Sequence, residues 1–329
     1  MKTLMTAAIA CASAVSFMPI AFADPAPDMQ LTPQVVNNAQ LTGAITQKAR
    51  GAAVLRAQVL LDRAHFAPGE MDAVFGAKQR IAVAGFQKSH NLKSTGTIDE
   101  ATWAALNGDS APVLVTYKIT DADVAGPFVS IPSDMMEKTK LSALGYASPA
   151  EALGEKFHLA PDLLQQLNPG QDFSHAGDEI VVPNVDPPTP LANGVKVVVT
   201  KSNSTVSLVD AAGKSVAQFP ASMGSVHDPL PLGKWKINGV ARNPKFHYNP
   251  HLFWDADSSQ SKAVIPAGPN NPVGVVWIDL SKKHYGIHGT PEPKNIGRTE
   301  SHGCIRLSNW DAWLLSQAVR PGMPAILRK

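Results

Sequence analysis

The stretches Val195-Lys196-Val197-Val198-Val199 and Val206-Ser207-Leu208-Val209 decide the fold of the C-terminal part of the chain. Short apolar runs of this kind, rich in β-branched residues, are typical of β-strands. Ala211-Ala212-Gly213-Lys214 follows the second run and fits a hairpin turn. Further short strands are predicted over 234–240 and 273–280. Because Gly and Pro separate these runs, the C-terminal part is predicted to be a mainly β domain.

A single helix is predicted at the end of this domain. It begins at Ser308 or Asn309, and its apolar residues recur at helical spacing. These residues are Trp310, Trp313 and Leu314. The domain as a whole is assigned to residues 190–329.

The N-terminus has the pattern of a secretory signal peptide over residues 1–23. Lys2 precedes an apolar run from Leu4 to Phe22, which ends in the small-x-small site Ala21-Phe22-Ala23. A membrane anchor is the alternative, but Thr, Ser and Pro dilute the run too much for a spanning helix. We therefore expect a periplasmic protein with no membrane span once mature. Residues 24–45, rich in Pro, Ala, Asn, Gln and Thr, are predicted to be a mobile tether.

Signal cleavage changes the cysteine count. The chain has 2 cysteines, Cys11 and Cys304, and the first leaves with the signal. The remaining one cannot form an internal disulfide. A lone cysteine in an exported protein is an intermolecular link or a reactive thiol, whereas an inert buried cysteine is more typical of cytosolic proteins.

The charge is close to balanced. A formal net charge of +2 over 329 residues, with no basic run, gives no support for a nucleic-acid partner.

Residues 46–108 are predicted to be a small helical module. Leu55 and Val59 lie at i,i+4, which fits one buried stripe, and a turn follows at Pro68-Gly69. A second helix carries Phe86 inward. The segment Thr97-Ile98-Asp99-Glu100 has the form of a capping box and predicts the start of a third helix.

This module resembles the three-helix peptidoglycan-binding domain. The resemblance rests on four segments: Met71-Asp72-Ala73-Val74-Phe75-Gly76, Ala82-Val83-Ala84-Gly85-Phe86-Gln87, Thr95-Gly96-Thr97-Ile98-Asp99 and Thr102-Trp103. That family usually has Gly where this chain has Ala73. The resemblance implies binding to wall glycan, and a spacer role is the alternative.

Residues 109–189 contain three predicted elements and a linker. A strand is predicted at 117–120, a helix at 162–168 stopped by Asn-Pro, and a turn with a short strand at 177–183. Together they resemble a diverged LysM module, an α/β segment that binds wall glycan. About 25 residues separate the first strand from the rest, more than such a module needs. The Pro-rich segment 186–190 is predicted to be a stiff linker.

Reactive side chains are densest between His284 and Arg306. A cysteine nucleophile needs a neighbouring base or positive charge to form a thiolate. His302 is two residues from Cys304, a spacing that seldom gives a good bond. His288 ends an apparent strand sixteen residues before Cys304, and the loop between them can return the chain to it, so His288 is the favoured base. Backbone N–H groups around Gly303 and Cys304 are candidates for an oxyanion hole.

Two motifs and their spacing resemble the signature of the L,D-transpeptidases with a YkuD-type catalytic domain. They are Ile287-His288-Gly289-Thr290 and Ser301-His302-Gly303-Cys304-Ile305-Arg306. The resemblance covers roughly residues 194–328 and includes Gly224, Pro231-Leu232-Gly233-Lys234-Trp235 and Asn271-Pro272-Val273-Gly274.

The resemblance implies a role for each residue of these motifs. Cys304 is the nucleophile, His288 the base, and the Gly289 carbonyl orients His288. His302, Gly303 and Cys304 shape the oxyanion site. Residues expected to contact substrate are Ser301, Arg306 and Tyr285. Arg306 holds either the loop or a substrate carboxylate.

The implied reaction is peptidoglycan cross-linking, which contributes to wall organisation and cell shape. Cys304 attacks the third residue of a tetrapeptide stem, D-alanine leaves, and the amine of a neighbouring stem takes the acyl group from the thioester. Water as acceptor gives an L,D-carboxypeptidase, and cutting of cross-links gives an endopeptidase. The expected partners are stem peptides and glycan, and no cofactor is expected.

Two other classes compete with this interpretation. A zinc site could use His284, His288, His302 and Cys304, but no Cys pair or His-Glu-x-x-His accompanies them, so no metal is predicted. A non-catalytic wall-binding protein explains residues 46–183 but not the lone cysteine with its histidines. The aromatic residues Tyr248, Phe253 and Trp254 lie in the Pro-rich stretch 242–272. Such residues more often serve loop packing, but their setting between strands also suits a lid over the site.

Overall fold

A computed structural model describes residues 31–329 of the chain. The signal peptide predicted at 1–23, with Cys11, and the first residues of the predicted tether lie outside this range. Among the described residues, no helix is long and apolar enough to span a bilayer.

Nine helices are found in residues 31–329: α1 Pro33–Val36, α2 Ala52–Arg63, α3 Ala77–Ser89, α4 Glu100–Leu106, α5 Asp121–Val124, α6 Met135–Lys138, α7 Pro149–Lys156, α8 Pro161–Leu167 and α9 Asn309–Ala318. The strands of the same range are β1 Leu114–Lys118, β2 Glu179–Pro183, β3 Lys196–Thr200, β4 Thr205–Val209, β5 Ser215–Pro220, β6 Ser222–Met223, β7 Gly233–Arg242, β8 Phe246–Tyr248, β9 Ala263–Ile265, β10 Val276–Leu280, β11 Gly286–His288, β12 Ile305–Arg306 and β13 Pro324–Arg328.

Residues 31–45 do not behave as the mobile tether that we expected. Val36 is fully buried in the N-terminal core, and the Asn37 side chain accepts hydrogen bonds from the backbone N–H groups of Val113 and Leu114, both at 2.8 Å. Ile45 forms a β-bridge with Ile98. The composition is that of a linker, but a few well-spaced anchors dock this segment because their burial and hydrogen bonds offset the ordering cost.

The helical module is confirmed as three helices, α2, α3 and α4. The predicted stripe is buried, with Leu55 and Val59 both at 0% exposure. The cap of α4 differs from the prediction: the side chain of Asp99, not Thr97, accepts a hydrogen bond from Thr102 N–H. The helix begins later because Ile98 is held extended by its bridge to Ile45.

Ala73 occupies a left-handed backbone conformation with φ of 57°. This conformation costs a residue with a Cβ about 1–2 kcal/mol, a penalty that glycine avoids. Hydrogen bonds from Gly51 N–H to the Ala73 carbonyl at 3.0 Å and from Ala73 N–H to Gln58 Oε1 at 2.9 Å hold it there. The strain explains why the related domains favour Gly at this position.

Residues 114–183 contain a strand, then helices, then a second strand, which is the order predicted for the LysM-like segment. β1 and β2 pair antiparallel, with Tyr117 opposite Ile180, and α5 to α8 lie between them in sequence. The helix predicted at 162–168 is α8. A relation to LysM modules stays a prediction. Because one apolar core runs from Val36 through Trp103 to Val182, this segment and the helical module form a single N-terminal body.

The C-terminal domain is mainly β, as predicted. Within residues 31–329 it holds a nine-stranded sheet in the order β5-β4-β3-β13-β7-β10-β11-β12-β6. Its core includes Val197, Leu208 and Ile287, all fully buried. α9 packs on β10 and β11 and begins where predicted, with Ser308 as the capping residue.

The N-terminal body covers one edge of this sheet. The edge strand β5 receives backbone hydrogen bonds on both sides of Gln218, from Gln218 N–H to the His65 carbonyl at 2.8 Å and from Ala67 N–H to the Gln218 carbonyl at 2.9 Å. The Gln218 side chain also donates to the Ile81 carbonyl at 3.1 Å. At Gly85 a Cβ would lie 2.5 Å from that side chain, so glycine permits the close approach of α3 to the strand.

Candidate active site

The register of two strands brings two of the predicted reactive residues to one face of the sheet. β11 and β12 run parallel, with Ile287 beside Ile305 and His288 beside Arg306. Side chains alternate between the faces of a strand. The two isoleucines point into the core, so His288 and Arg306 share the opposite face. Cys304 lies just before β12 and lines the same cavity as these two residues.

His288 is buried and held in one orientation. It is 4% exposed, and its Nδ1 lies 2.7 Å from the Gly289 carbonyl oxygen, as the resemblance implied. A carbonyl only accepts hydrogen bonds, so Nδ1 carries the proton and Nε2 is the free acceptor. The ring stacks on Trp277 at 5.5 Å between centroids. Burial, with the charge of Arg306, lowers the pKa of His288 to about 4, although the Gly289 carbonyl opposes this change.

Cys304 is a protonated thiol at rest. Its Sγ donates to the His284 carbonyl at 3.6 Å. Burial raises the pKa of Cys304, while the Gly286 N–H and the charge of Arg306 act in the opposite direction. A raised thiol pKa and a lowered imidazole pKa both favour the neutral pair over thiolate and imidazolium. The thiol therefore loses its proton only when a reaction drives the transfer.

Ser301 positions the loop before Cys304. It is 3% exposed, and its hydroxyl donates to the Cys304 carbonyl at 2.5 Å while accepting from Gly224 N–H at 2.7 Å. The hydroxyl proton is thus already used, so Ser301 positions the loop. Ser301 also lines the cavity, and its expected contact with substrate stays a prediction.

Tyr285 packs closely over the same loop. Gly303 has φ of 93°, and a Cβ on it would lie 2.7 Å from the Tyr285 ring. Glycine therefore fits this position both sterically and conformationally. Tyr285 also lines the cavity in front of Cys304, so it remains available to substrate.

The His302 side chain faces a loop that borders the site. Its Nε2 lies 2.7 Å from Asp255 Oδ1, and its ring makes an edge contact with Phe253 at 5.0 Å. Trp254 in turn stacks on His227 at 4.3 Å. Residues 249–262, which we call the lid loop, are thus held by side chains next to Cys304. The sequence suggested a lid here but did not indicate its Asp255 anchor.

Residues between β1 and α7 of the LysM-like segment brace the lid loop and the segment that follows it. Gln260 donates to Asp134 at 3.1 Å, and Leu144 exchanges backbone hydrogen bonds with Ala267 and Asn270 at 2.9 and 3.0 Å. Leu144 is fully buried in a small apolar cluster with Tyr248 and Ile265. The insertion that made this segment longer than a wall-binding module needs is therefore part of the wall of the site.

The site opens into a cavity of about 1260 Å³. His288, Cys304 and Arg306 line it together with the lid loop and Met135 from α6. The other charged residues of its wall are Asp228, Lys245, Asp255, Asp257, Lys282 and Lys283. In residues 31–329 no three His, Cys, Asp or Glu side chains form a group suited to hold a metal ion.

Asn309, predicted from the sequence only as a possible first residue of a helix, packs behind Gly289 and so supports His288 indirectly. Its Oδ1 accepts from Val275 N–H at 3.1 Å, and its Nδ2 donates to Glu155 Oε2 at 2.9 Å. A Cβ on Gly289 would lie 2.2 Å from Asn309 Oδ1, so Asn309 packs directly against the residue that orients His288.

Comparison with known proteins agrees with this description. Residues 194–327 match the family model of the L,D-transpeptidase catalytic domain, YkuD, and residues 50–106 match that of a peptidoglycan-binding domain. The protein named as an L,D-transpeptidase, YkuD, of Bacillus subtilis strain 168 is 30% identical over 172 residues, which are 52% of this chain and 88% of that protein. YbiS of Escherichia coli strain K12, also named as an L,D-transpeptidase, is 26% identical, and the match covers 54% of this chain and 59% of YbiS.

Among solved structures, an L,D-transpeptidase from Xylanimonas cellulosilytica aligns with a TM-score of 0.36 and 16% identity, covering 86% of this chain and 96% of that one. The two family models define a YkuD-type catalytic domain that follows a peptidoglycan-binding domain. The chain belongs to the L,D-transpeptidase family.

Proposed function

We propose that this protein forms peptidoglycan cross-links through a thioester on Cys304, with a tetrapeptide stem as acyl donor and the amine of a neighbouring stem as acceptor. The observation that carries the proposal is that His288 and Cys304 line one cavity, with His288 Nδ1 fixed by the Gly289 carbonyl. A nucleophile, a base and a group that orients the base are the parts that acyl transfer needs.

The first half-reaction starts from the neutral pair. As Sγ of Cys304 bonds to the carbonyl carbon of the third stem residue, its proton passes to Nε2 of His288. We assign stabilisation of the oxyanion of the tetrahedral intermediate to the N–H groups of Gly303 and Cys304. Collapse breaks the amide bond, and the departing D-alanine nitrogen takes the proton from His288.

The second half-reaction reverses these roles. The acceptor nitrogen attacks the thioester carbonyl and gives a proton to Nε2 of His288. The intermediate expels the sulfur, which recovers the proton as a thiol. The lid loop limits the access of water to the thioester, which favours an amine over hydrolysis.

The N-terminal body supports a place at the wall. Its helical module belongs to a domain class that binds peptidoglycan, and we infer that it keeps the catalytic domain beside its polymeric substrate. Together with the predicted signal peptide, this favours action in the periplasm.

Mass spectrometry of wall fragments incubated with the enzyme tests the proposal. We expect a mass increase on Cys304 equal to the acyl donor and a cross-linked dimer as product. Cys304→Ala should abolish both while leaving wall binding intact. Loss of one alanine without dimer would point to a carboxypeptidase, and dimer formation by Cys304→Ala would refute the thioester.

A further inference from the structure

Three acidic residues line the active-site cavity, and they differ in their partners. Asp255 pairs with His302 at 2.7 Å, and Asp257 caps its own loop by accepting from Ser259 N–H and Oγ–H at 2.8 and 2.7 Å. The carboxylate of Asp228 accepts no hydrogen bond from any group in residues 31–329, and its Oδ2 is shielded from solvent. Asp228 lines the cavity, so its carboxylate is available there to a positively charged group that enters with the substrate.

Asp228 is fixed on a short, well-packed turn. Ser225 and Asp228 exchange hydrogen bonds, from Ser225 N–H to the Asp228 carbonyl and from Asp228 N–H to Ser225 Oγ, both at 2.9 Å. Gly224 begins the turn with φ of 58°, and a Cβ there would lie 2.5 Å from the Leu230 nitrogen. The carboxylate is therefore held at one place on the cavity wall.

The same turn is tied to the nucleophile. Gly224 N–H donates to Ser301 Oγ, which donates to the Cys304 carbonyl. The charge of Asp228 also contributes to raising the pKa of both Cys304 and Tyr285, after the larger effect of burial. Asp228 therefore lies within electrostatic reach of the sulfur and faces the cavity in which acyl transfer takes place.

A negative charge beside the nucleophile does not help acylation, because it raises the thiol pKa and opposes the developing oxyanion. The negative charge of Asp228 would instead favour binding of a cation that arrives after the thioester has formed. The amine acceptor is such a group, since a primary amine is an ammonium ion at neutral pH.

We propose that Asp228 is the specificity-determining residue that binds the ammonium group of the acyl acceptor and so selects a primary amine over water. This inference rests on the proposed function. Asp228 accepts a charge-assisted hydrogen bond from the ammonium group. One ammonium proton passes to the Asp228 carboxylate, which then releases it to solvent. The free amine then attacks the thioester, and its second proton goes to His288 and from there to the departing sulfur.

The test separates the two half-reactions in Asp228→Asn. Acylation by a tetrapeptide donor is followed by mass spectrometry, and the thioester is then partitioned between water and an amine acceptor of increasing concentration. We expect acylation at least as fast as in wild type, because the opposing charge is removed, and an amine KM raised about ten- to hundredfold, as for loss of a charge-assisted hydrogen bond. Asp228→Glu should recover part of the affinity.

Two controls make the result specific. Hydroxylamine, which is uncharged near neutral pH, should capture the thioester equally well in wild type and Asp228→Asn. Asp257→Asn removes the same charge from the cavity wall and should leave the amine KM unchanged.

Three results would overturn the assignment. They are an unchanged amine KM in Asp228→Asn, an equal loss for hydroxylamine, and a failure of Asp228→Asn to acylate. If the wild type itself forms no thioester, the proposed function fails first, and that outcome is distinguishable because it appears before any acceptor is added.

Discussion

Asn309 Nδ2 donates a hydrogen bond to Glu155 Oε2 at 2.9 Å, and this bond joins the N-terminal body to the catalytic domain directly behind Gly289. Tyr146 also donates to Glu155, at 2.8 Å. Since Gly289 orients His288, Glu155 is connected to the base through three successive contacts, by way of Asn309 and Gly289.

The Glu155 link predicts a pH-dependent stability. Burial raises the pKa of Glu155 to about 7, against the opposing hydrogen bonds from Asn309 and Tyr146. A carboxyl whose folded pKa lies above its unfolded value holds more protons when folded. Its contribution is therefore greatest below the unfolded pKa and decreases as pH rises towards 7, by up to about 3 kcal/mol.

Glu155→Gln should remove this part of the pH dependence, because the amide is neutral and keeps the shape of the carboxyl. Urea unfolding at pH 5 and pH 8 gives the change in the free energy of unfolding between the two pH values, which should be smaller in Glu155→Gln than in wild type. Asp311, whose pKa burial also raises to about 7, titrates in both proteins and cancels in the comparison. An equal change in the free energy of unfolding in the two proteins would contradict a raised pKa of Glu155.

The lowered pKa of His288 predicts an acid limb of activity near pH 4. The base must be neutral to accept the thiol proton, so kcat/KM should stay high down to about pH 5 and decrease as pH passes through the pKa. Arg306→Gln removes the smaller of the two causes that lower the pKa of His288. The acid limb should therefore move to higher pH but stay below 6.5, because burial still acts. The exposed Arg298→Gln should not move it, and a limb near 6.5 in the wild type would refute the buried neutral base.

The brace on the lid loop predicts a defect in substrate binding from a residue outside the catalytic domain. Leu144→Ala removes a fully buried side chain from the cluster with Tyr248 and Ile265, at a cost of about 2–5 kcal/mol in local packing. We expect a raised KM for the donor, measured well below the unfolding temperature. Leu106→Ala is the matched control, because it removes a leucine at 3% exposure from the N-terminal core. It should lower stability without changing KM.

The strained backbone at Ala73 predicts a stabilising substitution. Ala73→Gly relieves the left-handed conformation but adds flexibility to the unfolded chain, for a net gain of up to about 1 kcal/mol. Ala104→Gly, on the exposed side of α4, should cost about 1 kcal/mol. Thermal unfolding of both variants should therefore give shifts of opposite sign, and a loss of stability in Ala73→Gly would show that the strain is absent.

The sequence predicts the site in part because its signals are local. His288 and Cys304 lie in two short motifs whose spacing implies a strand return, and both line the same cavity. The hairpin β3–β4 and the helix α9 follow from periodicity and capping in the same way.

The remaining features depend on contacts between distant parts of the chain. The pairs Asp255–His302 and Glu155–Asn309 are 47 and 154 residues apart, and neither has a local pattern. Residues 31–45 resemble a linker in composition, yet Val36 and Asn37 dock them. The role proposed for Asp228 depends on its place on the cavity wall and on its lack of a described partner. Both are known only from the folded structure.

The backbone pairing of His65 and Ala67 with Gln218 determines which piece of the protein can be made by itself. A fragment cut at the predicted boundary near residue 190 would present β5 as a bare strand edge, a template for association with other copies. It would also lack Met135 and Leu144, and with them one wall of the cavity. We therefore expect that the smallest active fragment contains the N-terminal body together with the catalytic domain, although Cys304 belongs to the catalytic domain alone.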